Sequence, residues 1–299
     1  MTTNSELETF TRHRPRLFAI AYRMLGMRAD AEDIVQDAWL RWNAADAHSL
    51  TSAEAWLVTV VTRLSIDRLR AQRKERETYI GFWLPEPLVA EDGDTPEAAA
   101  TRADEVSFAL LWLLERLSPL ERAAFLLRQV FERDYAEIAD ILQKSEAACR
   151  QLVHRASLRV REDEPRFQAD ADTQRHLLER FIRAARNGER AALEALIADT
   201  AELVGDGGGK VPSFRHIVRG NIRIANLYEA IARKQAAGVA YLPATVNGAP
   251  GLLRYFDGWL ESVQACSSDG ERITGLYVVR NPDKLAGVPR HLHTLAPRG

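Results

Sequence analysis

Two runs of this chain concentrate guanidinium groups at helical spacing. Arg63, Arg68, Arg70, Arg73, Lys74 and Arg76 lie close together against only Asp67 and Glu75. Ser145–Glu162 carries Arg150, Arg155, Arg159 and Arg161 against Glu146 and Glu162. Arginine at this density binds phosphate oxygens, and its planar fork also pairs with guanine edges, as the glutamine amide does with adenine. The whole chain has 40 Lys and Arg against 42 Asp and Glu, a net charge of −2. The basic charge is therefore local, and two separate contacts with a phosphate backbone are expected. A third cluster is acidic: Asp30, Glu32, Asp33 and Asp37, with Gln36 among them. Taken alone it reads as a solvated helix face.

The elements that must hold these groups are mostly helices. Tyr135–Leu142 is a short amphipathic helix with Ile138, Ala139 and Leu142 inward, Gln143 and Lys144 make a turn, and Ser145 caps the next helix. On that next helix Cys149, Leu152, Val153, Ala156 and Val160 form one stripe, leaving Arg150, Gln151, His154 and Arg155 on the other side. This is the pattern of a helix-turn-helix with a recognition face, although the turn lacks the usual glycine. From Leu7 to Arg76 the apolar residues recur every three or four positions: Phe18, Tyr22 and Leu25, then Ile34, Ala38 and Trp42, then Trp56, Val60 and Leu64. Tyr79–Thr101 reads as a linker, with Gly81, Pro85, Pro87, Gly93 and Pro96 among acids. Helical periodicity resumes near Arg102, breaks at Ser118–Pro119 and runs to Glu162. After a polar joint, helices Thr173–Asn187, Glu189–Asp199 and Asn221–Lys234 accompany strands Ala201–Val204, Leu252–Asp257, Leu260–Ala265 and Ile273–Val279, a segregated α+β pattern.

Bulk properties fit a multidomain globular chain: 299 residues, 46% hydrophobic and 27% charged. Cys149 and Cys266 lie far apart, without CxxC pairs, which suits a reducing compartment such as the cytoplasm. No signal-peptide pattern opens the chain and no apolar run is long enough to span a membrane, so no membrane partner is expected.

Leu17–Trp42, Glu54–Arg73 and the stretch LLERLSPLERAAFLLRQVFERDYAEIADILQKSEAACRQLVHRA together resemble the extracytoplasmic-function sigma factors of the sigma-70 family, in that family's order and spacing. The resemblance covers about half the chain. It implies two all-α domains, a helical bundle and a helix-turn-helix, with core RNA polymerase and promoter DNA as partners. Asp30, Glu32, Asp33, Gln36, Asp37 and Trp42 would face the polymerase. Arg63, Arg68, Arg70 and Arg73 would hold the minus-ten strand, with the Asp46–Ser52 loop receiving a flipped base. Arg63 stands where many relatives carry Asn. Ser145, Glu146, Arg150, Gln151, His154 and Arg155 would engage the minus-thirty-five element.

The remainder, Thr173–Lys284, resembles a SnoaL-like cone domain. Three segments match a sigma subclass that carries this domain as a fused regulator: Trp83, Leu84, Pro85, Glu86, Pro87 and Leu88 in the linker; Asp206, Gly207, Gly208, Gly209 and Lys210; and Asn281, Pro282, Asp283, Lys284 and Leu285. Taken singly, they read as a stiff spacer, a hairpin turn and an Asn-Pro turn. The resemblance implies that they meet as a regulatory contact, with no separate anti-sigma factor required. The expected domains are 1–78, the linker 79–101, 102–163, the connector 164–172, the cone 173–285 and the tail 286–299.

The expected function is promoter recognition and transcription initiation, modulated in cis, with no catalytic residues, metal or cofactor. A small-molecule ligand in the cup is left open. The alternatives are a ligand-sensing helix-turn-helix regulator that acts without polymerase, and a cyclase-like enzyme using Asp206, with Tyr228, Tyr255 and Trp259 lining its cavity. His291 and His293 lack the further ligands that a metal site needs.

Overall fold

The computed structural model describes residues 4–45, 50, 52–90, 107–161, 170–235 and 238–295. They form two compact units: residues 4–77 with 113–161, and residues 78–90 with 107–112 and 170–295. Residues 46–49 and 51 of the Asp46–Ser52 loop, residues 91–101 of the expected linker and most of the 164–172 connector lie outside the described residues.

The first unit opens with three mutually packed helices, α1 (Asn4–Leu25), α2 (Arg28–Ala44) and α3 (Ala53–Glu77). Their buried stripes follow the helical period, with Leu17, Ile20, Ala21 and Met24 facing Ile34, Ala38 and Trp42. On α3 the buried stripe is Leu57, Val61, Ile66 and Leu69, while Trp56, Val60 and Leu64 are half-buried, about one position off the expected stripe. α4 (Phe108–Leu114), which belongs to the second unit up to Trp112, is followed by the break at Ser118–Pro119. There Ser118 and Glu121 form a reciprocal capping box and Pro119 begins α5 (Pro119–Phe125), which continues as a π-helical turn, Leu126–Val130. α6 (Tyr135–Leu142) has a second capping box from Asp134 and Glu137, and α7 (Glu146–Arg161) follows it. Gln143 supplies the left-handed conformation between them, at φ 52°, where a glycine is usual.

The second unit places α8 (Ala171–Asn187) and α9 (Arg190–Leu196) before β1 (Ile197–Asp206). The expected helix over 189–199 ends early because Ile197 already pairs in the sheet with Ile273. Short β2 (Val218–Arg219), α10 (Asn221–Gln235) and strands β3 (Val239–Val246), β4 (Ala249–Phe256), β5 (Trp259–Ser268) and β6 (Ile273–Val279) complete it. The sheet order is β2-β1-β6-β5-β4-β3, with β1 and β6 parallel and the other neighbours antiparallel. β3 is absent from the sequence reading, although Asn247-Gly248, at φ 50° and 71°, is the hairpin signal that closes it onto β4.

Both faces of the sheet are covered. Leu177, Phe181, Leu196, Ile224 and Tyr228 from the helices pack on Leu203, Leu252 and Leu276. On the opposite face Leu84, Phe108 and Trp112 pack with Val204, Leu253, Val263, Tyr277 and Val279. Residues 79–90 are thus part of this unit's core rather than a free linker. The tail, too, is structured to residue 295: α11 (Pro282–Leu285) leads to buried Val288, and Thr294 bridges to Trp259.

Replacing Gln143 by glycine removes the left-handed penalty while keeping the turn. We expect Gln143→Gly to raise the stability of the first unit by about 0.5–1 kcal/mol, measured by urea unfolding; a loss of stability would contradict the turn geometry.

Candidate nucleic-acid interface and linker clamp

The helix-turn-helix face is built from its capped ends. The Ser145 hydroxyl accepts from the Ala148 amide at 3.2 Å, starting α7. Cys149, Leu152, Val153, Ala156 and Val160 point into the core, leaving Arg150, Gln151, His154 and Arg155 exposed together. Two of these are pre-aimed. Arg150 bonds Glu146 at 2.6 Å and lies over the Tyr135 ring at 4.8 Å. Arg155 sits 3.4 Å from Glu121, which also takes Arg159 at 2.8 Å. Burial works to raise the Glu121 carboxyl, but bonds from Ser118 and the two arginines outweigh it and hold the group below the ordinary glutamate range. Glu121, unmarked in the sequence reading, therefore caps α5 and anchors the side of α7.

The basic helix α3 is less free than its composition implies. Arg63 donates from Nε to the Ile141 carbonyl and from a terminal nitrogen to that of Asp140, both at 2.9 Å, so it caps the C-terminal end of α6. Arg68 bonds Asp30 at 2.6 Å, and Gln72 donates to the same carboxylate at 2.7 Å. Arg70 is exposed and pairs loosely with Asp67 at 3.1 Å. The Arg73 side chain lies outside the described ones.

The acidic helix divides in the same way. Asp33, Gln36 and Asp37 are exposed and Glu32 pairs with Arg14 at 2.6 Å, with Leu40 exposed beside them. Asp30 and Trp42 do not belong to that surface. Asp30 is buried toward α3, and Trp42 continues the Ile34–Ala38 stripe inward, its indole donating to the Glu6 carbonyl at 3.1 Å. The apolar period that marks the core of α2 already includes Trp42, so burial is its physical role.

In the second unit the three sequence segments meet. Asp206, at the end of β1, is fully buried and its carboxylate accepts four donors: Tyr79 Oη at 2.5 Å, the Gly208 amide at 2.9 Å, the Leu84 amide at 3.0 Å and Lys284 Nζ at 2.7 Å. Lys284, 1% exposed, also bonds the Leu84 carbonyl and lies 3.7 Å from the Trp83 ring centroid. Asn281 caps α11 through its Oδ1 and donates from Nδ2 to the Tyr79 hydroxyl at 2.8 Å. The close approach explains a glycine: at Gly208, φ 63°, a Cβ would lie 2.5 Å from Asn281 Nδ2. Lys210 and Asp283 form only an exposed pair at 2.6 Å. At the other end of the segment Leu88 and Asn247 exchange hydrogen bonds at 2.8 and 3.1 Å. Tyr79 and Asn247 escaped the sequence reading because their partners lie more than a hundred residues away.

Asp206 is thus consumed by its partners on the face opposite the helices, and Trp259 is 67% exposed rather than lining a cavity. Tyr255 donates to the Leu292 carbonyl at 2.8 Å, and Tyr228 donates to buried Gln264 at 2.8 Å on the helix-covered side. His293 sits 2.9 Å from the Val288 carbonyl. No helix among the described residues is long and apolar enough to cross a membrane.

The comparisons with known proteins fit this division. Residues 9–75 match the sigma-70 region 2 family, covering α1 to α3, and residues 107–160 match sigma-70 region 4, covering α4 to α7. The ECF RNA polymerase sigma factor SigJ of Mycobacterium tuberculosis is 36% identical over 98% of this chain and 97% of its own length. A probable ECF sigma factor, SigI, of the same organism is 31% identical over 91% of this chain and 92% of its own. The crystal structure of the M. tuberculosis extracytoplasmic function sigma factor SigJ superposes with a TM-score of 0.79 at 34% identity, covering 95% of this chain and 99% of that one. With two helical sigma domains, a six-stranded sheet domain and whole-length kinship to SigJ, the chain belongs to the extracytoplasmic-function sigma factors of RNA polymerase.

Proposed function

We propose that this sigma factor docks on core polymerase through the exposed acidic face of Glu32, Asp33, Gln36 and Asp37. In this reading α3 holds the minus-ten strand through Arg63, Arg68, Arg70 and Arg73. Arg150, Gln151, His154 and Arg155 read the minus-thirty-five element in the major groove, with Ser145 and Glu146 setting the start of the helix. Since Arg63 and Arg68 are used internally, engaging DNA with them means exchanging carbonyl and carboxylate partners for phosphates. The chain acts beside polymerase in the cytoplasm and performs no chemistry of its own.

The C-terminal domain is the proposed controller, acting through the segment at 83–88 and without a separate anti-sigma factor. The observation that carries this is the Asp206–Lys284 pair, which closes over the Leu84 backbone from both sides. A segment that joins two promoter-reading regions in sequence is thereby built into the core of the sheet domain. The grip resists salt, because both charges are buried beyond the reach of screening ions.

Removing Lys284 leaves Asp206 buried and unpaired. Lys284→Ala should cost the second unit about 3–5 kcal/mol, whereas Lys210→Ala, which breaks an exposed pair, should cost less than about 1 kcal/mol. The paired replacement Asp206→Asn with Lys284→Met removes both charges together and serves to separate control from folding. In transcription reconstituted with bacterial core polymerase, it should change promoter output several-fold while calorimetry shows a folded second unit. Unaltered output would remove the controller from this account.

The DNA-reading residues separate by specificity. Alanine at Arg150 or Gln151 should cost about 1–3 kcal/mol and relax preference at single minus-thirty-five positions. Alanine at Arg70 should instead weaken binding of all sequences and lower the salt slope by about one. Binding of the holoenzyme to a promoter library at several salt concentrations tests both, and identical sequence profiles for all three variants would contradict the assignment.

Burial, and then the hydrogen bond to Asp206, push the Tyr79 phenol well above its ordinary value. Its folded pKa exceeds the unfolded one, so its contribution to stability is complete below about pH 10 and declines as pH rises beyond that. Wild type should lose stability between about pH 9 and 11 more steeply than Tyr79→Phe, as read by urea midpoints; parallel curves would show that the phenol is not linked to folding.

A further inference from the structure

The first unit contains a cleft of about 840 Å³, of whose lining the promoter reading uses only Arg70, at the rim. One wall is the C-terminal half of α3; the other is the turn before α5, the start of α5 and the side of α7. Its volume falls in the range of small-molecule sites. Its lining is unusual in charge: Arg70, Arg76, Arg116, Arg122 and Arg159 stand against Glu77 and Glu115.

The arginines differ in depth. Arg122 is 2% exposed, with one terminal nitrogen on the Met24 carbonyl at 2.7 Å and on Glu115 at 2.9 Å. Its Nε is buried without a hydrogen-bond partner. Half-buried Arg76 converges on the same Glu115 and also donates to the Leu25 carbonyl at 3.0 Å, so one carboxylate is shared by two guanidinium groups. Collecting cations in a low-dielectric site is costly unless anions answer them. At the rim, Arg70 and Arg159 carry ion pairs with Asp67 and Glu121 whose arginine sides are more than half exposed. Such pairs are weak and exchange readily for a phosphate. Leu117 and Leu120 give the cleft an apolar part beside the charges.

The geometry points to a binding site for a small organic polyphosphate, a nucleotide in its chemistry, with phosphates on Arg122, Arg76 and Arg116 and its planar body against Leu117 and Leu120. Arginine suits both halves, since its fork takes phosphate oxygens bidentately and its plane stacks on a base. A duplex backbone is a poorer fit because its phosphates meet protruding side chains, while Arg122 lies beneath the surface. The walls belong to the minus-ten and minus-thirty-five regions, so a ligand here ties them together. It favours the arrangement in which Arg63 caps α6, and it opposes the separation that promoter binding asks for.

The test uses the full chain and titration calorimetry with ATP, pyrophosphate and a single-stranded oligonucleotide. ATP should bind, and pyrophosphate should bind more weakly because it lacks the planar body. Arg116→Gln and Arg122→Gln should each weaken ATP by at least about tenfold, while Arg175→Gln, on α8, leaves it unchanged. Should Arg122→Gln fail to fold, Arg116→Gln alone carries the test. Bound ATP should also lower promoter binding by the holoenzyme. Absence of ATP binding, equal affinity in Arg116→Gln, or an oligonucleotide that binds the cleft while ATP does not would each overturn the assignment. Because binding is read directly, its failure is distinct from any failure of the promoter reading.

Discussion

A lysine and an aspartate buried against each other govern the second unit. Asp206 ends the strand that pairs parallel with β6, and Lys284 sits in the short helix just past β6, so sheet topology brings the two charges to one place. Neither is tolerable alone in that environment. Together they close on a third element, the backbone at Leu84, which satisfies the remaining donors and acceptors. Gly208, Asn281 and Tyr79 are arranged around the pair, and Leu84 and Trp112 cover the sheet face beside it. A face that would otherwise expose a broad apolar surface is thereby covered by the chain's own connecting segment.

The first unit is organised by carboxylates that each collect more than one side-chain donor. Asp30 takes Arg68 and Gln72, Glu115 takes Arg76 and Arg122, and Glu121 takes Arg155 and Arg159 while capping a helix. The consequence is that basic residues on these helices fall into two populations. Some, such as Arg70 and Arg150, stay exposed with weak local pairs. Others are structural, and their charge is spent within the protein. Composition counts both alike, which is why a basic stretch overstates the free positive surface.

Much of the helical architecture was legible in the sequence. Tyr135–Leu142 begins and ends where the capping and apolar periodicity say, because Asp134, Glu137 and Ser145 are local signals acting over three or four residues. β6 likewise coincides with its expected span, a run of apolar residues bounded by polar ones. β3 was not legible: Leu242, Pro243 and Thr245 give no clean alternation, and the strand exists because the Asn247-Gly248 turn lays it on β4. Taken alone, the extended segment at 79–90 reads as a spacer for a similar reason. Its prolines exclude a helix, but nothing local reveals that a sheet face awaits it.

The residue types and their spacing determined that this chain carries a helix-turn-helix with an arginine- and glutamine-bearing face, an acidic helix and a separate α+β domain. Those properties follow from interactions among neighbours in sequence, where periodicity and capping act. Only the tertiary structure decided which of the named side chains are available. Asp30, Trp42, Arg63 and Arg68 are withdrawn by partners up to 78 residues away, and Tyr79 is joined to Asp206 across 127. Burial and long-range pairing depend on how elements meet, and that information is spread over the whole chain.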